Sequence, residues 1–415
     1  MAESLRDFRY GKPLNGVARR STTPGIEAEE QTGSETSQRI HSFISSALLY
    51  QSTRKVAISE DYCLIRYSSI HQLHRDNCST MHTFLTYARS AIRCGLESFN
   101  DTKGRGVLRD GRDFTVQLID DFLRDDLTQL VRLAIREDLS RGMDLTTVAV
   151  VPPGLSASAQ IVARVAGVAA GIDLIPEIVE TIGVELSVEL NLSDGKRFEP
   201  QQSLATLSGD ARDVLTCERT ILNFLGRLCG MATWTAEHVA VLQGLPTRLY
   251  DTRKTTPGWR RLEKYAVHCG GGHNHRSGLY DAVLIKDNHL ACHARSTGHV
   301  LSPSQAVEEA RNFLAEQPDS ATNTIVEIEV DSLAQLVDAL TAAPDIVLLD
   351  NMSNEQLCQA VAMRDAADRG VQLEASGGVN LHTLRGIAET GVERISVGAL
   401  THSAINLDLG LDWIL

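Results

Sequence analysis

The stretch TIVEIEVDSLAQLVDALTAAPDIVLLDN, residues 324–351, reads as two short apolar runs on either side of one amphipathic helical run. Runs of Val, Ile and Leu this short, bounded by Asp and Pro, predict buried strands, and LAQLVDALTA between them predicts a helix. The same alternation holds outward in both directions from residue 248. RLYDTRK, AVLIKDN, QLEASGG and RISVGA read as further strands, and PSQAVEEARNFLAEQ and NEQLCQAVAMRDAADR as helices. Apolar strands separated by amphipathic helices imply parallel strands covered by helices, hence a barrel or a doubly wound sheet.

Each of these strands ends in a polar cluster: Asp251-Thr252-Arg253-Lys254, Lys286-Asp287-Asn288, Glu329-Val330-Asp331, Asp350-Asn351, Ser376-Gly377-Gly378 and Gly398-Ala399. Any single cluster could be a helix N-cap, a position that suits Asp, Asn and Ser. Six in succession point to one mouth where strands end and βα loops begin. There, Arg253, Lys254, Arg276 and Lys286 can bind carboxylates or phosphates. Glu329 and Asp350 among those cations are expected to hold a Mg²⁺, directly or through water, that bridges a pyrophosphate to the protein. Ser376, Gly377, Gly378, Gly398 and Ala399 come from the last two strands, where barrels commonly seat a phosphate on free N–H groups. His268, His273, His275 and His289 surround three consecutive glycines with spacings that match no zinc geometry. Neutral imidazoles and backbone N–H groups suit an aromatic acid instead.

The charge balance narrows the partner. With 53 Asp+Glu against 40 Lys+Arg and a net charge of −13, the chain would repel a polyanion except at a local patch, so a small anion is expected rather than nucleic acid. No window approaches eighteen uninterrupted apolar residues and the N-terminal stretch lacks the apolar run of a secretory signal, which predicts a cytoplasmic protein with no membrane segment. Eight cysteines without a CxxC pair read as reduced thiols.

Composition changes near Asp113. Residues 1–112 hold 16 Lys+Arg against 12 Asp+Glu, so the acidic excess belongs to the rest. This extension is rich in Ser, Thr and Arg, with a polar run typical of disorder. Its twelve acidic residues argue against an organelle-targeting peptide, and a misassigned upstream start would look the same. His71, His74, Cys78 and His82 have spacings that could close a metal site on a helix, but the segment lacks other signs of a metal-nucleated domain.

Between the extension and the repeat, DDFLRDDLTQLVRLAIREDL predicts a helix with an apolar stripe of Phe122, Leu123, Leu127, Leu130, Leu133 and Ala134. SAQIVARVAGVAAG, VELSVEL and SLATLSG predict a small sheet. VLTCERTILNFLGRLCGMATWT predicts a helix with Ile221, Phe224, Leu225 and Leu228 on one face and Arg219, Asn223, Gly226 and Gly230 on the other. Two glycines inside a helix predict close approach by a ligand or another backbone.

Taken together, DTRKTTPGWRRLEKYAV, CGGGHNHRSGLYDAVLIKDNH, CERTILNFLGRLCGMAT, VEIEV, LLDNM, EASGGV and ISVGALTHSA resemble the quinolinate phosphoribosyltransferase family, from about Asp120 onward and in the family's order. The resemblance implies an α/β fold: an incomplete α/β barrel of about six strands with an N-terminal open-faced α/β sandwich, beside the unassigned extension. It places the sandwich in residues 113–230 plus 403–415 and the barrel in 231–402. It implies a homodimer that converts quinolinate and phosphoribosyl pyrophosphate, with Mg²⁺, to nicotinate mononucleotide, pyrophosphate and CO₂. Carried over by motif, Arg253, Lys254, His275, Arg276 and Lys286 would hold the two quinolinate carboxylates beside Thr252, with Arg219 reaching across the dimer. Glu329 and Asp350 would manage metal and ribose hydroxyls, and Lys254, Lys286, Glu329 and Asp350 would be the catalytic set. Ser376, Gly377, Gly378, Gly398 and Ala399 would hold phosphate, while Arg260 and Arg261 would lie on a helix surface. The chain departs from the family at CGMAT (usually SGIAT) and at GMDLTT, where Met143 precedes Asp144. The alternative, a non-catalytic binder of small anions on the same fold, would be expected to lack some of the carboxylate-binding cations, and all five are present.

Overall fold

The computed structural model describes residues 112–317, 323–367 and 370–414. The extension and its His71, His74, Cys78 and His82 spacing lie outside the described residues, apart from Arg112. The first described element is the helix Asp121–Leu139, capped by Asp120, whose carboxylate accepts from Leu123 N. Its buried stripe is Leu123, Leu127 and Val131, one residue per turn. Phe122 and Leu133, expected in that stripe, are 68% and 48% exposed. Successive residues on a helix diverge by about 100°, so Phe122 and Leu123 cannot share a narrow face; Phe122 instead lies under the Arg261 guanidinium, 5.4 Å away.

Five strands follow: β1 (Ser156–Ala163), β2 (Gly167–Val168), β3 (Leu186–Leu190), β4 (Arg197–Phe198) and β5 (Ser203–Asp210). The helix Ile175–Ile182 buries Ile175, Ile178, Val179 and Ile182 and stops at Gly183, which takes φ 77° as the left-handed cap. Next comes the long helix Ala211–Val241, whose N-cap Asp210 accepts from Arg212 N.

Beyond this helix come β6 (Arg248–Tyr250), β7 (Val283–Ile285), β8 (Val326–Val330), β9 (Ile346–Asp350), β10 (Gln372–Ser376) and β11 (Arg394–Ser396). They form one six-stranded sheet in the order β6-β11-β10-β9-β8-β7, with every pairing parallel. β6 and β7 do not pair. The GGGHNHR stretch borders that opening, because His273 bridges Tyr250 in parallel, donating its N–H to Leu249 O at 2.7 Å. The sheet is therefore an incomplete barrel. The last strand, β12 (Leu409–Ile414), returns to pair antiparallel with β1 and completes a four-stranded sheet in the order β12-β1-β5-β3.

The segment that leads to β12 explains the helix glycines. A Cβ at Gly230 would sit 1.9 Å from Ile405 O and one at Gly226 3.0 Å from Leu407 O, and Leu407 N donates to Gly226 O at 2.8 Å. Another backbone, not a ligand, occupies that face. Arg219 and Asn223, on the same expected face, stay exposed. The two family departures are locally harmless: the Cys229 thiol exchanges hydrogen bonds with Ala170 N and O at 3.4 Å, and Asp144 caps the helix Leu145–Val150 through Thr147 N.

Candidate active site

Strand direction puts the C-terminal ends of β6–β11 at one end of the barrel, the mouth, and the N-terminal ends at the other, the floor. The polar clusters fall at the mouth as expected. Their arrangement starts from a buried knot. Asp251, fully buried at the end of β6, ion-pairs with the equally buried Lys264 and accepts from Asn274 Nδ2 at 2.7 Å and His275 N at 2.8 Å. Lys264 also donates to His275 O at 2.7 Å. Burial pulls the Lys264 ammonium below its ordinary range against the pull of Asp251. The knot fixes the DTRK and HNHR segments against each other.

The loop after Lys254 is held the same way. Buried Glu263 accepts from Thr256 N at 3.1 Å and from Arg227 Nη2 at 3.0 Å, and Gly258 turns the chain at φ 83°. Arg260 and Arg261, expected on a helix surface, are half-buried tethers: Arg260 Nε donates to Thr255 Oγ1 at 3.0 Å, and Arg261 pairs with Asp126 at 2.6 Å.

Arg253 follows β6 and Arg276 precedes β7, the strands that border the barrel opening, and their charges are near enough to repel. Arg276 is buried, and burial together with the Arg253 charge lowers its pKa from the ordinary arginine value. Arg253 Nε is buried and has no hydrogen-bond partner. Two like charges held this close and partly desolvated are unfavourable unless an anion completes them. Lys254 lies across Gly398, where a Cβ would come within 2.8 Å of its Cδ, and Thr401 Oγ1 donates to Lys254 O at 2.8 Å. Thr252 Oγ1 accepts from Lys254 N at 3.1 Å. Lys286 ion-pairs with Glu329.

Glu329 and Asp350 lie on one face of adjacent strands, since Glu329 pairs with Leu348 in register and side chains two apart share a face. Asp350 accepts from Asn351 Nδ2 at 2.7 Å. Ser376 stands beside Asp350 on β10. Gly377 takes φ 96°, and a Cβ there would meet Asn351 Oδ1 at 2.1 Å, so only glycine fits. Gly378, at φ 62°, has open space where a side chain would stand. Ala399 begins the turn Ala399–His402 directly after Gly398.

His275 differs from its expected state. It lies beneath the mouth, 5% exposed, with Nε2 at 3.1 Å from Glu327 and 3.4 Å from Glu374, while Nδ1 accepts from Arg276 N at 2.8 Å. Burial opposes the imidazolium, but the Glu327 and Glu374 carboxylates outweigh it and push the ring up to about 10, against the Arg276 N–H that uses the Nδ1 lone pair. The two acids Glu327 and Glu374 favour the charged ring, whereas the Nδ1 lone pair that accepts from Arg276 N belongs to the neutral imidazole expected here. His268 and His273 do follow the neutral expectation, as burial lowers both. His289 Nδ1 accepts from Lys286 N and closes a helix N-terminus.

The acids and the floor are the missed residues. Glu374 accepts from Arg394 Nε at 2.9 Å, and Arg394 Nη1 reaches Asp113 at 2.9 Å. His275, Glu327 and Glu374 are the described residues whose donor atoms lie close enough together to share an ion, though Arg394 already compensates Glu374. The signal was period-two spacing: Glu327 shares a strand face with Glu329, and Glu374 with Ser376. Arg219 does not join the mouth. It is 64% exposed and lines a cavity of about 260 Å³ with Leu130, Leu133, Phe224 and Trp259. Among the described residues no helix is long and apolar enough to cross a membrane.

Known proteins resemble this chain in sequence and fold. Residues 144–229 match the family model "Quinolinate phosphoribosyl transferase, N-terminal domain" and residues 231–412 match its C-terminal domain. A nicotinate-nucleotide pyrophosphorylase [carboxylating] of Mycobacterium leprae is 42% identical over 290 residues, covering 69% of this chain and 97% of that one. A probable enzyme of the same name from Bacillus subtilis is 36% identical over 286 residues, covering 69% and 93%. The solved structure of the nicotinate-nucleotide pyrophosphorylase from Francisella tularensis superposes with a TM-score of 0.63 at 36% identity, covering 72% of this chain and 99% of that one. With both domain models matched in order across the sandwich and the incomplete barrel, the chain belongs to the quinolinate phosphoribosyltransferase family.

Proposed function

We propose that the chain transfers the phosphoribosyl group of phosphoribosyl pyrophosphate to quinolinate with loss of CO₂, giving nicotinate mononucleotide and pyrophosphate for NAD synthesis. The single observation that carries this reading is the Arg253–Arg276 pair: buried Arg276 is repelled by Arg253, and Arg253 Nε is buried with no hydrogen-bond partner. Two guanidiniums with Lys254 and Lys286 at the rim match a ligand with two carboxylates, where a monocarboxylate would leave part of the charge uncompensated. His275, with both ring nitrogens engaged, reads as the support of Arg276 beneath that pair.

The chemistry asks for positioning more than for a nucleophile. As pyrophosphate leaves, the ribose carbon becomes oxocarbenium-like and the pyridine nitrogen attacks it. The resulting pyridinium stabilises the electron pair left on the adjacent carbon when CO₂ departs, and that carbon then takes a proton. Ser376, Gly377, Gly378, Gly398 and Ala399 offer backbone to the phosphates. Glu329 and Asp350, on one strand face, fit a Mg²⁺ that would neutralise the pyrophosphate. The Lys286–Glu329 pair means that metal would compete with an internal cation. The exposure of Arg219, in a cavity that Leu130, Phe224 and Trp259 share with Glu137 and Asp138, supports a homodimer in which it serves the neighbouring site. The free thiols of Cys229, Cys269 and Cys292 fit a reducing compartment such as the cytoplasm.

The test is product formation from quinolinate and phosphoribosyl pyrophosphate, with and without Mg²⁺, with nicotinate as control. Metal-dependent nicotinate mononucleotide and CO₂ from quinolinate alone is expected. Turnover of nicotinate would overturn the dicarboxylate assignment, and no turnover by folded protein would overturn the enzyme reading in favour of a small-anion binder.

A further inference from the structure

We propose that residues 113–117, the point where the extension meets the catalytic fold, are a positioning plug that closes the barrel floor and sets His275 and Arg276 for quinolinate. Three separate contacts converge on residues 274–276. Phe114, 8% exposed, stacks on the His275 ring with centroids 4.4 Å apart and planes at 29°. Gln117 N donates to Asn274 Oδ1 at 2.8 Å, and Asn274 is itself held by Asp251 and by Lys264 O. Asp113 acts through a relay: its carboxylate accepts from Arg394 Nη1 at 2.9 Å, Arg248 Nη1 at 3.0 Å and Tyr250 Oη at 2.8 Å. Arg394 holds Glu374, and Glu374 faces His275 Nε2.

The plug sits where the barrel lacks packing of its own. Phe114 forms a small core with Tyr250, Ala282, Ile325 and Ile346, residues at or just before the N-terminal ends of their strands, except for Tyr250, which ends β6. Arg394 lies over both rings, 5.0 Å from Phe114 and 3.6 Å from Tyr250. Since β6 and β7 do not pair, the 273–276 segment has a strand neighbour on one side only, and the plug supports its other side. His275 Nδ1 then takes the Arg276 N–H, so a displaced imidazole displaces the arginine. Small misplacements of a binding group cost a large share of its effect.

This proposal rests on the functional reading above, and the experiment separates the two. Steady-state kinetics of the full chain are measured for wild type, Phe114→Ala, Phe114→Tyr, Asp113→Asn and Asp113→Glu, together with unfolding midpoints. Phe114→Ala and Asp113→Asn are expected to raise the KM for quinolinate roughly tenfold or more while that for phosphoribosyl pyrophosphate changes by less than about twofold. Phe114→Tyr, which keeps the stacked ring, restores the wild-type value, and Asp113→Glu restores part of it. Equal rises in both KM values, or an unchanged quinolinate KM, would overturn the plug. If Phe114→Ala does not fold, the near-isosteric Asp113→Asn decides alone. Wild type that turns over no quinolinate brings down the functional reading and the plug with it.

Discussion

Mouth and floor of the same barrel treat charge in opposite ways. At the mouth, repulsion from Arg253 adds to the burial of Arg276 and outweighs the pull of Glu327 and Asp281, neither of which pairs with it. Toward the floor, Arg394 is bracketed by Glu374 and Asp113, and behind the DTRK loop buried Lys264 is matched by Asp251. Both sets are buried enough for desolvation to be costly. The difference is that the lower set is paired charge with charge within the chain, whereas Arg253 and Arg276 have no such pairing, which suits the anion proposed above. In this barrel the paired charges Asp251 and Lys264 fix the two segments that carry Arg253 and Arg276.

The sharpest way to break this contrast is at the lower layer. Asp251→Ala strands buried Lys264 without a counter-charge and frees Asn274 and His275 N, so a loss of about 3–5 kcal/mol of stability is expected in urea unfolding. A loss under about 1 kcal/mol would show that the knot is not what holds the segments. At the mouth, Arg276→Ala should leave stability nearly unchanged while weakening quinolinate by about 2–3 kcal/mol, seen as a KM raised roughly 30- to 150-fold with little change for phosphoribosyl pyrophosphate. Equal effects on both substrates would remove Arg276 from the carboxylate site.

A smaller effect sharpens the same line through pH. The carboxylates hold the His275 proton more tightly in the folded chain, up to about 10, than in the unfolded one, near 6.5. The stability this gives is fully present below about pH 6.5 and is lost as pH rises toward 10. Thermal midpoints are expected to fall across that window by roughly 2–4 °C more in wild type than in His275→Gln. Parallel curves would assign the imidazole to the neutral form. The smallest effect belongs outside both layers. Removing residues 1–112 takes away the half-exposed Arg112–Asp345 contact at 3.8 Å, worth under about 1 kcal/mol, and turnover should stay at the wild-type level. A collapse in soluble truncated protein would give the extension a role in the site.

Much of the mouth was legible in the sequence because its residues close apolar strands, and a polar residue after such a run is placed by the run itself. TIVEIEVD and IVLLDN fix the positions of Glu329 and Asp350 by this means, and strand order follows from the βα alternation. The layer beneath was not legible. Glu327, Glu374 and Arg394 alternate with apolar residues, a pattern that in a half-buried strand marks the solvent face, whereas in a barrel it marks the interior. Lys264 is hidden for a similar reason, since a lysine in RRLEKYAV reads as exposed helix until Asp251 is known to face it. The stripe of the helix Asp121–Leu139 failed on geometry alone: six apolar positions were available, and the helices it packs against, chiefly Ile175–Ile182, cover a face narrower than all six.

The return of β12 has a consequence for synthesis. β1 has β5 on one side, but its other side stays bare until β12, which follows every other described element in the chain, has left the ribosome. For most of translation the sandwich thus carries an open strand edge, the kind of surface that recruits other chains. The helix Ala211–Val241 waits as well, with Gly226 and Gly230 uncovered until residues 405–407 arrive. Growth of the nascent chain, rather than the strength of any one contact, decides when this fold becomes safe from its neighbours.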